Sequence, residues 1–130
     1  MSKKPTPPPI ECPPGLGEVG RAEFYRLAIP LEASGALHTD LDGGLLAAYC
    51  AAFEVWQAAT TAITRDGIVI ETPNKFLQPS PYLGIANKAA MAMARLGDAL
   101  GLSASSRNRL WKHAWATEPA DPLNLERLKP

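Results

Sequence analysis

Residues 40–67, DLDGGLLAAYCAAFEVWQAATTAITRDG, decide the fold. Leu45, Tyr49, Ala52, Trp56, Ala59 and Ile63 recur at alternating three- and four-residue steps, the period of one helix face. One long helix from near Asp40 to about Arg65 is therefore expected as the spine of the domain, with Asp66 and Gly67 stopping it. Thr39 or Asp40 is the expected N-cap, and acids in the first turn suit the positive end of the helix dipole. Gly43 and Gly44 each cost about 1 kcal/mol against alanine, so tertiary packing has to hold that end.

Working back from the spine, Phe24, Leu27, Ala28 and Leu31 fall at helical spacing and predict a first helix from about Glu18. Pro30 should kink or end it, because proline lacks an N–H and its ring crowds the preceding turn. Gly35 closes the segment and Leu37 packs as a staple at the start of the spine. Residues 1–15 carry prolines and two lysines, and read as an extended, flexible, polyproline-like arm.

Forward of the spine, IVIET and KFLQ flank a turn at Pro73 and Asn74 and predict a small β-hairpin. An isolated hairpin is marginal in water, so this one needs a partner, either the domain's own helices or a neighbouring subunit. Pro79 and Pro81 mark the next boundary, and Pro81 suits the first turn of a third helix. Along that helix Ala86, Ala89, Ala90, Met93, Leu96 or Gly97, and Leu100 form a stripe of mostly small residues. The stripe reads equally as core packed on the second helix or as a subunit contact, which makes Ala86, Ala90 and Met93 candidate interface residues. The segment LGLSASSRNRL follows at residues 100–110. Gly101 can take the left-handed conformation that ends a helix, and Ser103 can cap a fourth one running to about His113, with Leu110 and Trp111 turned inward. Residues 116–130 read as a tail with apolar points at Leu123, Leu125 and Leu128. The fold class is thus mainly α: a compact domain of about four helices over residues 16–115, with a hairpin between the second and third.

Composition excludes more than it specifies. The chain has 130 residues, 46% of them hydrophobic, enough for one domain with a modest core. Apolar stretches are broken by charges well short of a membrane span, and the N-terminus lacks the apolar core of a signal peptide, so a soluble, non-exported protein is expected. Thirteen basic residues balance thirteen acidic ones, which argues against indiscriminate coating of nucleic acid. The distribution is uneven. Glu11, Glu18, Glu23, Glu32, Asp40, Asp42 and Glu54 face only Arg21 and Arg26 in the first part, whereas Lys88, Arg95, Arg107, Arg109 and Lys112 face only Asp98 later. Such a subunit can stack on copies of itself or meet an anion at one end. Cys12 and Cys50 have no metal or redox spacing, and His38 and His113 have no motif partner. No GxxxxGK[ST], GxSxG or HExxH pattern occurs, so neither an enzyme, a cofactor nor a metal is expected.

The order of these features carries a resemblance: a proline-rich arm, the helix with Phe24, Leu27 and Leu31, then Gly35, Leu37 and Asp40, LLAAYC, DGIVIE, QPSP and finally LGLSASSRNRL. Over roughly Pro14 to Leu110 the chain resembles the small terminase subunit of tailed bacteriophages, in the family with an LGLTPxxRxRL ending. Ser103 and Ala104 stand where that ending has Thr-Pro, which keeps the cap and drops the first-turn proline. The resemblance implies a non-catalytic protein that assembles as a ring or another homo-oligomer, in the cytoplasm of the bacterial host. It implies that viral double-stranded DNA and a large subunit carrying ATPase and nuclease are its partners. Lys88, Arg107, Arg109 and Lys112 are the candidate DNA contacts; Arg107 is also a candidate subunit contact, with Arg109 and Lys112 favoured for phosphate. The motif itself leaves open whether Arg107 and Arg109 meet DNA or a neighbouring subunit. Two other readings are a helix-turn-helix regulator, which predicts a dimer on a palindrome, and a protein-binding adaptor without nucleic acid.

Overall fold

The computed structural model describes residues 10–110, in two compact units that divide within the third helix, after Leu96. Trp111, Lys112, His113 and the tail assigned to 116–130 lie outside the described residues. The elements in chain order are α1 (Glu18–Ala33), α2 (Thr39–Asp66), β1 (Val69–Glu71), β2 (Leu77–Pro79), α3 (Pro81–Leu100) and α4 (Ala104–Leu110). The architecture is the expected one, helical with a small antiparallel hairpin between the second and third helices.

α1 and α2 pack as an antiparallel helical pair joined by the short turn at residues 34–38. Gly20, Phe24 and Ala28 form a buried row along α1, and Leu46 and Cys50 a buried row along α2, each at four-residue spacing. In its first half the spine therefore turns inward a face beside the one its periodicity suggested, whereas in its second half Ala59 of the expected stripe is buried. Leu46 and Cys50 are wholly buried, whereas Leu45 remains 39% exposed and Tyr49 half-buried. In an alanine-rich helix neighbouring stripes are nearly equally apolar, and the partner helix selects between them.

Two helix ends differ from expectation. α1 runs past Pro30 to Ala33. Pro30 is exposed in the last turns, where the missing N–H forfeits a single hydrogen bond, and the end beyond it is locked by backbone. Ala36 N–H donates to the Leu31 carbonyl at 3.0 Å and Gly35 N–H to the Glu32 carbonyl at 3.0 Å, a Schellman closure that needs the left-handed Gly35 (φ +79°). At the start of α2 the N-cap is His38 rather than Thr39 or Asp40. Asp42 reaches back to accept the His38 N–H at 3.1 Å, so the acid in the first turn does the fixing.

The hairpin pairs Val69 with Pro79, Ile70 with Gln78, and Glu71 with Leu77. Lys75 N–H donates to the Thr72 carbonyl and Thr72 N–H to the Phe76 carbonyl, both at 2.8 Å, closing a three-residue loop. Lys75 sits at φ +64° in that loop, alone among the described non-glycine residues in having a positive φ. Ile68, Val69, Phe76 and Leu77 are all more than half exposed, the last two at 70% and 76%. Ser80 then caps α3 by accepting the Tyr82 N–H at 3.2 Å, with Pro81 in the first turn. Ala86 and Ala89 are the buried positions of α3 in the first unit.

Candidate nucleic-acid interface

In the second unit the stop and cap expected in LGLSASSRNRL are both formed. Leu102 N–H donates to the Gly97 carbonyl at 2.9 Å and Gly101 N–H to the Asp98 carbonyl at 3.4 Å, with Gly101 at φ +75°. This is the closure seen at the end of α1. Ser103 then caps α4: its hydroxyl accepts the Ser106 N–H at 3.2 Å, while the Ser106 hydroxyl accepts the Ser103 N–H at 3.2 Å. The exchange is a capping box with serine in the place of the usual acid, and Ser106 is fully buried to make it.

The two arginines of the motif are both turned to this junction. Arg109 binds the Asp98 carboxylate at 2.8 Å, an exposed ion pair between the end of α3 and α4. Arg107 directs Nη1 at the Gly101 carbonyl at 3.4 Å, a long contact with one of the carbonyls that the helix end leaves over. Lys88 is exposed on α3, and Lys112 lies outside the described residues. Of the candidate subunit contacts, Ala86 is already buried within the chain, Met93 is half-buried and Ala90 is exposed. Sequence reasoning counted Arg95 in the basic stretch without making it a candidate; it too is exposed, and its spacing of seven residues from Lys88 was the available signal.

The first unit uses its carboxylates internally. Glu23, 6% exposed, is forked by the Arg26 guanidinium, and this pairing raises the already high Arg26 pKa. Beside it, burial and then the charge of Glu23 push the Tyr49 phenol up, and the same two causes push the Cys50 thiol up to about 12. Cys50 is therefore a neutral core side chain. Glu54 accepts the N–H groups of Gly17 and Gly20, each at 3.2 Å. It supplies from α2 the cap that glycine at the α1 N-cap position cannot. A methyl group on Gly17 would overlap the Glu54 carboxylate, which would have to shift away from the position in which it makes this cap. At the other end of α2, Arg65 binds Asp66 at 2.8 Å, and the hydrogen bond lowers the Asp66 pKa.

A shallow surface depression is lined by Thr60, Thr61, Thr64 and Arg65. Thr60 and Thr64 donate to backbone carbonyls of their own helix and Arg65 is committed to Asp66, which leaves little there to hold an anion. Among the described residues no group of three His, Cys, Asp or Glu could hold a metal ion, and no helix is long and apolar enough to cross a membrane.

The model of a protein family described as phage terminase, small subunit, matches residues 20–115, from the first turn of α1 to beyond α4. No curated protein and no solved structure matches.

Proposed function

We propose, for a chain that belongs to the family of phage terminase small subunits, that it assembles with copies of itself, engages viral double-stranded DNA and presents that DNA to a separate large subunit in the host cytoplasm. Its role is that of the non-catalytic subunit in phage DNA packaging. The family match carries this reading, since it spans about three quarters of the chain and nearly every described element.

The exposed hairpin supports self-assembly. Ile68 and Phe76 lie on one face of the two-stranded ribbon and Val69 and Leu77 on the other, so both faces offer apolar surface that water should not keep. The basic residues of that stretch that are not held in an ion pair, Lys88 first among them, supply the charge for DNA. Light scattering at micromolar concentration tests the assembly: the native chain should have a multimeric mass, and Phe76→Ser with Leu77→Ser should lower it. A monomeric mass for the native chain would end this reading. A gel-shift titration of the assembled protein with duplex DNA at low salt tests the other half, and failure to shift would remove direct DNA recognition.

A further inference from the structure

Formal neutrality hides a local imbalance: among the described residues Glu11, Glu18 and Glu71 lack an ion pair, as do Arg21 and Lys75, but none of the acids falls in the first four turns of α3. Glu23, Asp42, Glu54, Asp66 and Asp98 each have an intramolecular partner, as a helix cap or in an ion pair. Their positive counterparts Arg26, Arg65 and Arg109 are neutralised with them. Lys88 and Arg95 have no ion pair or hydrogen bond among the described residues. Residues 81–96 of α3, PYLGIANKAAMAMARL, contain both of these cations and no acid.

The two cations share one face. Gly84, Lys88, Met91 and Arg95 follow at steps of four, three and four residues, the stripe opposite buried Ala86 and Ala89, and all four are exposed. Seven residues place Lys88 and Arg95 two turns apart, about 10.5 Å along the axis. Gly84 on the same stripe and Ala94 at its flank keep the surface low, so a bulky polyanion can approach the helix.

We infer that this face of α3, with Arg95 as a contact residue alongside Lys88, is where the protein meets the phosphate backbone of duplex DNA, and that Arg107 and Arg109 serve instead to brace the α3–α4 junction. The inference rests on the DNA-binding part of the function proposed above. Duplex DNA favours such a pair over an acidic protein partner for a geometric reason. It carries a charge for about every 1.7 Å of axis, so two cations along a helix always find phosphates, whereas an acidic patch has to match their spacing. Phosphate contacts of this kind position the protein without reading sequence.

The experiment is a fluorescence-anisotropy titration of the full-length protein with random-sequence duplex DNA across a series of salt concentrations. Lys88→Ala with Arg95→Ala should weaken binding at least tenfold at low salt and flatten the dependence of log K on log salt by about 0.9 for each phosphate no longer neutralised. Arg95→Lys, which keeps the charge, should retain the native slope, and so should Arg109→Ala. Both targeted side chains are exposed, so helicity and oligomer mass should match the native protein. If the double variant loses either, Lys88→Gln with Arg95→Gln, which keeps most of the aliphatic stem, replaces it. A charge-removed variant with native affinity and slope overturns the proposal and hands this face to a protein partner; a slope flattened by Arg109→Ala overturns it as well. No binding by the native protein defeats the DNA reading itself, a different outcome from binding that ignores α3.

Discussion

The α1–α2 pair and the β-hairpin with the first turns of α3 belong to the same unit, yet they treat their side chains in opposite ways. The pair buries Phe24, Leu46 and Cys50 completely and draws Glu23 and Glu54 into its packing. The hairpin strands bury no side chain and this part of α3 only alanines; Phe76, Leu77 and Met91 stay in solvent, and Lys88 and Arg95 have no ion pair among the described residues. The first region is organised to hold itself together, the second to be met by something else. A surface of that kind is what a subunit of an assembly should carry, because monomers rarely keep large apolar patches uncovered.

The contrast can be broken most severely at Phe24. Phe24→Ala should cost about 3–5 kcal/mol in urea unfolding, through reduced burial and the cavity left behind. Met91→Ala, at a site 65% exposed, should stay within about 0.5 kcal/mol. Equal losses at both sites would erase the distinction between the regions.

A smaller effect, dependent on pH, tests the polar part of the α1–α2 core. With its pKa at about 12 the Cys50 thiol is protonated in the folded chain, while the thiol of the unfolded chain ionises near its ordinary value of 9.0. Above pH 9 the unfolded state holds fewer protons, and stability should fall as pH rises toward 12, by at most about 1.4 kcal/mol per pH unit. Urea midpoints at pH 8 and pH 10 measure this, and Cys50→Ala should remove most of the difference. Tyr49, whose pKa is also raised, would keep a residual slope above pH 10.

The reach of the sequence follows the same division. Local chemistry is readable: Gly35, Gly67 and Gly101 each end a helix at positive φ, Ser103 caps α4, and the hairpin forms where β-branched residues flank Pro73 and Asn74. What depends on a partner element is not. The inward stripe of α2 is chosen by α1, and the capping of α1 by Glu54 joins residues 34 and 37 positions apart. Pro30 and His38 depart from expectation because the backbone closure beyond one and Asp42 beyond the other outweigh intrinsic preference. Arg109 carries no local sign that Asp98, eleven residues earlier, comes to meet it.

The smallest expected effect lies at Lys75 in the exposed region. An L-residue held in the left-handed region costs roughly 1 kcal/mol, which glycine would not incur. Lys75→Gly should therefore raise the melting temperature slightly, and a neutral or negative shift would mean that the lysine side chain supports the loop.

The cap that Glu54 provides bears on the order in which the chain folds. The N-cap of α1 is Gly17, which offers no side-chain acceptor, so in isolation the first turn has little to fix it. The acceptor arrives only once α2 has formed and come alongside. The first turn of α1 is thus fixed by a contact distant in sequence, and is expected to be completed only after the two helices have met.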